Sequence, residues 1–174
     1  MSKLFGPVMQ NAFVVDDLES AVQHWSRTLG IGPFYAFEHI KFDSLQFRGK
    51  PGQADITAAI AYWGDVQIEL VVQHNQAPSI YRDFLDRGGR GLQHMAVMTD
   101  DLDAHLARLR PLGIEPVQHG QVAGGGARFA YVSSDFMPGT MIELIESGPA
   151  ILGYFKVIQQ AAATWDGKNP LVRV

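Results

Sequence analysis

The sequence predicts an α+β fold: a curved mixed sheet built from two βαβββ repeats around a concave face, followed by a C-terminal helix. Two pairs of matching motifs carry that expectation. The triplet Asp-Asp-Leu occurs at Asp16–Leu18 and again at Asp100–Leu102, 84 residues apart, each time after a short apolar strand and before a helical pattern. The tripeptide Ile-Glu-Leu ends a strand at Ile68–Leu70 and again at Ile142–Leu144, each time downstream of an Ala-Tyr step. Self-similarity at a fixed period points to a duplicated unit whose copies share one core. A chain of 174 residues fits one domain, 1–174, on this plan.

The first repeat is expected over 8–75. After the strand QNAFVV, residues Leu18, Ala21, Val22, Trp25 and Leu29 follow the i, i+3, i+4, i+7 stripe of an amphipathic helix. The aspartates suit its N-cap and first turn, where a carboxylate accepts orphan backbone N–H groups. The Leu-Gly-Ile step at Leu29–Ile31 supplies a glycine for the C-terminal cap. The repeat closes with ITAAIAYWGDVQIEL, two strands joined by the two-residue turn Gly64–Asp65.

Residues 77–90 read as a linker helix with Ile80, Phe84 and Leu85 on its apolar side, stopped by Gly88 and Gly89. The second repeat is expected over 91–147. Leu102, Leu106 and Leu109 mark its helix, which runs out at Leu112–Ile114, and ARFAYVSSDFMPGTMIEL ends it with a longer loop. Within it, QVAGGGAR (Gln121–Arg128) reads as a flexible turn, because it lacks the strand-to-helix setting of a dinucleotide fingerprint. Residues 148–174 read as a helical extension whose wide apolar surface is expected to meet a second subunit rather than to cover the sheet.

Composition narrows the function. A net charge of -4 with scattered basic residues offers no footprint for nucleic acid. No apolar run approaches the roughly 18–20 residues of a membrane span, and MSKLFGPVMQ has no signal-peptide core. A cytoplasmic protein is expected. With no cysteine, any metal must be held by imidazole and oxygen ligands.

The duplication then serves as a ruler. Aligning the Asp-Asp-Leu triplets pairs Gln10 with His94, and aligning the Ile-Glu-Leu strands pairs Glu69 with Glu143. Val66, Ile68, Leu70 and Val72 alternate with Gln67, Glu69, Val71 and Gln73, so Glu69 faces away from the aliphatic side. A histidine in the strand GLQHMAVMT is, taken alone, more often a hydrogen-bonded core residue, and a glutamate in such a strand usually just faces solvent. Four symmetry-related donors on one face instead suit a concave metal or ligand site, since an ionised half-buried glutamate is costly unless paired or coordinating. The aromatics Phe34, Tyr35, Phe37, Tyr62, Trp63, Phe129 and Tyr131 divide between a pocket lining and ordinary core.

These residues resemble the vicinal oxygen chelate superfamily, which includes glyoxalase I, methylmalonyl-CoA epimerase, extradiol dioxygenases and bleomycin-resistance proteins. The resemblance covers about residues 8–147. GLQHMAVMTDDLDAHLARLRPLGI looks like the second-repeat opening of the epimerase-like branch, and VQIELV and TMIELIE look like its ligand strands. It implies Gln10, Glu69, His94 and Glu143 as ligands of a divalent ion (Zn, Mn, Co, Ni, Fe or Mg), a set similar to that of some glyoxalase I enzymes. It also implies Glu143 as the catalytic base, with Glu69 second, and a homodimer. The implied activity is that of an isomerase, epimerase or lyase moving a proton next to the carbonyl of a small carbonyl compound or acyl thioester. Asp55 is the nearest candidate for a further acid. The alternatives are a metal-free small-molecule binding protein of the same fold and, disfavoured, an extradiol dioxygenase, which needs two histidines and one carboxylate on iron.

Overall fold

A computed structural model describes residues 2–133 and 140–174 of the chain. The loop Ser134–Gly139 of the second repeat lies outside the described residues. Strand β1 (Gln10–Val14) leads into helix α1 (Leu18–Leu29), then β2 (Phe34–Phe37), a hairpin β3 (Phe42–Phe47) and β4 (Lys50–Pro51), and the long hairpin β5 (Ile56–Trp63) and β6 (Val66–Gln73). Helix α2 (Ile80–Asp86) connects to β7 (Gly91–Thr99), α3 (Leu102–Leu109), β8 (Pro116–Val122), β9 (Arg128–Ser133) and β10 (Met141–Glu146). Helix α4 (Pro149–Ala163) and a terminal strand β11 (Leu171–Arg173) complete the chain. No helix is long and apolar enough to cross a membrane among the described residues.

The caps form as their chemistry requires. Asp17 accepts from the Ser20 amide and Asp101 from the Ala104 amide, each from an extended N-cap backbone. Gly30, after α1, takes the left-handed conformation that a helix C-terminus often demands.

The described strands form one sheet in the order β11-β2-β5-β6-β1-β7-β10-β9-β8-β3-β4. At its centre β1 and β7 run antiparallel, and each is flanked on its outer side by a parallel partner, β6 or β10. The run β2-β5-β6-β1 is therefore matched by β8-β9-β10-β7 across a local pseudo-twofold axis. Helix α1 covers the convex back of the first run, packing Leu18 and Val22 against Ile68 and Leu70. Helix α3 does the same for the second, with Leu102 and Leu109 against Val97 and Leu144. Both helices lie on one face, so the sheet curves around the other.

Two features depart from the sequence reading. The first repeat carries an extra hairpin, β3–β4, which leaves its own half and pairs with β8 on the far edge of the sheet. It crosses because Leu45 and Phe47 bury themselves in the concave cluster with Phe129 and Tyr131. The C-terminal extension is helical only to Ala163. Past Pro170, the residues Leu171–Arg173 pair in parallel with β2, and the β-branched Val172 suits that strand. Helix α4 also folds back onto its own sheet along one side, while its Leu152, Tyr154 and Val157 stay exposed. Phe155 and Ile158 are buried with Ile60, beside Tyr35, Phe37 and Tyr62.

Candidate functional site

The strand registers explain why four residues distant in sequence converge. Across the sheet centre, Gln10 lies beside Ala96, and Ala96 beside Glu143. The twofold-related row runs from His94 to Ala12 to Glu69. Each row thus holds one donor on a central strand, an alanine, and a glutamate on the parallel neighbour. Ala12 and Ala96 are fully buried, and their small side chains leave space between the larger ones. His94 Nε2 stands 3.3 Å from Glu69 Oε2 and 3.3 Å from Glu143 Oε2.

Hydrogen bonds from behind fix how the central pair presents its atoms. Gln10 Nε2 donates to Gln67 Oε1 at 2.9 Å, and Gln67 Nε2 donates to the Tyr62 hydroxyl at 2.8 Å. That chain ties up the Gln10 nitrogen and leaves its Oε1 buried without a partner. On β7, Gln93 is an extra residue between the Ala12–His94 and Phe13–Leu92 pairs, a bulge of the kind that re-aims side chains. Its Oε1 stands 2.8 Å from His94 Nδ1, so Nδ1 carries a proton and donates. The opposite nitrogen, Nε2, is buried and has no partner with hydrogen-bond geometry despite the two nearby carboxylates.

The electrostatics follow from this crowding. Burial opposes a charge on His94, but Glu143 and Glu69 outweigh it and raise the imidazole to about 9. Burial pushes the Glu143 carboxyl up, while His94 and the Tyr131 hydroxyl pull it back. Tyr81 and Tyr131, whose hydroxyls are 2.8 Å apart, are held well above the ordinary phenol range by burial and then by the Glu143 charge. The Tyr131 ring also stands edge-on to His94, with centroids 5.0 Å apart.

Gln10, Glu69, Glu143, Tyr81 and Tyr131 line a cavity of about 660 Å³ on the concave face. Its walls are largely apolar, among them Phe37, Ile60 and Phe129. Of the other aromatics named from sequence, Phe34 is core beneath α1, Tyr35 packs toward α4, and Trp63 is 60% exposed. Asp55 is paired with His39 at 2.8 Å and does not line this cavity. Sequence reasoning missed Tyr81 and Gln93. Tyr81 sits beside Ile80 on the buried edge of α2, and a phenol there requires a polar partner. Gln93 was hidden by the bulge, which strict strand alternation cannot anticipate.

The donor set suits a divalent cation in kind: one imidazole nitrogen, one amide oxygen and two carboxylates. The two orphaned atoms, Gln10 Oε1 and His94 Nε2, are what such an ion would satisfy. Among the described residues no three His, Cys, Asp or Glu side chains already stand as a group that could hold an ion. The arrangement is instead a tight cluster of an imidazole and two carboxylates, with the Gln10 amide the fourth member of the two rows.

The chain is similar to several solved structures. With methylmalonyl-CoA epimerase from Mycobacterium tuberculosis it shares 22% identity and a TM-score of 0.60, covering 88% of this chain and 95% of that one. With a hypothetical protein from Bacillus halodurans the identity is 16% and the TM-score 0.59, over 82% and 94% of the two chains. With the Streptomyces coelicolor epimerase in complex with 2-nitronate-propionyl-CoA they are 17% and 0.54, over 83% and 96%. These likenesses show a shared fold. No curated protein matches the chain. The model of the glyoxalase/bleomycin resistance protein/dioxygenase superfamily matches residues 9–131, most of the duplicated region. With its paired strand–helix units curved around one cavity, the chain belongs to that superfamily, the vicinal oxygen chelate fold.

Proposed function

We propose that the protein is a metal-dependent isomerase, epimerase or lyase that moves a proton on the carbon next to a carbonyl group. One observation carries this reading: an imidazole nitrogen and an amide oxygen, both buried and unpartnered, belong to the same paired rows as two glutamates lining one cavity. Gln10, Glu69, His94 and Glu143 would hold the divalent ion. When bound, the ion supplies positive charge beside a substrate carbonyl oxygen, where negative charge develops as the neighbouring carbon loses its proton.

The protein's own groups supply the rest. Glu143 is assigned as the base that takes the proton, because its carboxylate lines the cavity where a substrate carbonyl would sit. Glu69, less buried and on the opposite row, is the second candidate for this role. Tyr131, whose hydroxyl is paired with that of Tyr81, lines the same cavity and pulls the Glu143 carboxyl back toward its ionised form, so the two phenols tune the base. The likeness to proteins named as methylmalonyl-CoA epimerases fits this reaction class, since epimerisation beside a thioester is such a proton transfer.

A second reading, a metal-free binding protein, draws on the same cluster: an imidazolium between two carboxylates is electrostatically self-consistent. The two readings are separated by metal content. Protein purified without added metal, then titrated with Zn(II), Mn(II) and Co(II), is expected to take up about one ion per chain, and His94→Ala is expected to abolish uptake. Hydrogen–deuterium exchange at carbons next to carbonyls, across a panel of ketones and thioesters, should then require the ion and disappear in Glu143→Gln. An intact wild-type protein that binds no ion sinks the enzyme reading.

A further inference from the structure

We infer that the cavity takes a compact, uncharged, largely apolar carbonyl compound bound against α4, and not a coenzyme A thioester. The inference rests on the proton-transfer reading only for the carbonyl group. The shape and lining of the cavity carry the rest.

The lining is distributed unevenly. The donors and phenols are joined by apolar side chains from both halves of the sheet: Ile56, Ala58 and Ile60 on β5, and Phe129 and Ile145 on β9 and β10. Ile151, Tyr154 and Phe155 of α4 contribute a further wall, and so does the terminal Val174. Helix α4 cannot swing away without cost. Phe155 and Ile158 are buried against Ile60 and its neighbours, and a buried large side chain of this kind contributes roughly 1.5–3 kcal/mol. The helix is thus a fixed wall of the cavity.

Size and charge then decide between ligand classes. A pocket of about 660 Å³ lies in the range of roughly 300–1,000 Å³ typical of pockets that hold a drug-sized molecule. A coenzyme A thioester is considerably larger, and its phosphates call for several cationic partners. Among the described lining residues the cationic candidates are Lys41 and His39, and His39 is already paired with Asp55. Arg173, near the same edge, is held by Glu19 and Glu38. The wall from Ala123 to Ala127 adds a small-residue turn with no charge of its own. An apolar ligand matches these walls, while a polyphosphate would find them short of counter-charge.

Benzoin is a suitable probe, being neutral, two-ringed and bearing a C–H between hydroxyl and carbonyl. Its binding is measured by calorimetry on metal-free protein, beside coenzyme A and methylmalonyl-CoA. Benzoin is expected to bind with a Kd on the order of 100 μM or tighter. Two bulky replacements on opposite walls, Ile151→Trp and Ala123→Trp, should each weaken it by about tenfold or more by filling the space. Coenzyme A should not compete with it. Circular dichroism and a retained melting transition confirm that each variant is folded, and the second bulky variant decides if one is not. The inference is overturned if benzoin fails to bind, if both folded bulky variants bind it normally, or if methylmalonyl-CoA binds more tightly and loses affinity in Lys41→Glu. Because binding is read without metal, failure of ion uptake would sink the enzymatic reading and leave this one standing. Failure of benzoin with normal ion uptake would do the reverse.

Discussion

His94 concentrates the chemistry of the molecule at one ring. Its Nδ1 proton is committed to Gln93, and its Nε2 meets two carboxylates at 3.3 Å. In the metal-free protein the folded pKa of about 9 lies above the ordinary value of 6.5. A raised pKa contributes stability below the unfolded value and loses it as pH rises through the folded one. Glu143, also raised, acts in the same direction. The melting temperature of metal-free protein is therefore expected to fall between about pH 6.5 and 9, and His94→Ala should flatten that dependence. Scanning calorimetry across this interval checks both. A cation must displace the His94 proton, so its affinity should strengthen with pH, by up to about tenfold per unit below the imidazole pKa. Gln93→Leu removes the partner that fixes the ring. Such second-layer losses cost about 10–100-fold in metal affinity, and Co(II) titration followed by its visible spectrum would measure this. If Gln93→Leu binds cobalt as well as the parent, the bulge does not orient the ring.

Among the secondary elements, the duplicated caps and the helices behind the sheet give the sharpest expectations. Asp17 and Asp101 each accept one backbone N–H at 2.8 Å, so Asp17→Ala and Asp101→Ala should each cost about 1 kcal/mol in urea unfolding. Leu144 is fully buried between β10 and α3, and Leu144→Ala should cost about 2–5 kcal/mol. These elements were legible because Asp-Asp-Leu, the apolar stripe and Leu-Gly-Ile act through local hydrogen bonds and periodicity. The β3–β4 hairpin was not legible as a partner of β8, because its alternation of Leu45 and Phe47 marks a buried face without naming the strand beside it. The packing of the tail was hidden for a similar reason. The wide apolar surface of α4 was evident, but whether Phe155 and Ile158 would face this sheet or another chain depended on the position of β5.

For the whole molecule, the site is a product of symmetry. The pseudo-twofold between β1 and β7 places the rows Gln10–Ala96–Glu143 and His94–Ala12–Glu69 side by side. An ion held by those rows binds only the folded state, so it should stabilise by about 2.7 kcal/mol at a hundred times its Kd. The resulting rise in melting temperature should increase with ion concentration and vanish in His94→Ala. The sequence by itself determined the duplication, the capped helices, and the face of the strands on which Gln10, Glu69, His94 and Glu143 lie, because each of these is written in local spacing and in the comparison of one half with the other. Only the tertiary structure decided that Gln67 takes up the Gln10 nitrogen, that Gln93 holds the His94 ring with Nε2 toward the two glutamates, that Tyr81 joins Tyr131 beside Glu143, and that α4 walls the cavity. Those outcomes depend on a bulge, on cross-strand register and on packing between elements far apart in the chain, and no local pattern encodes such distances.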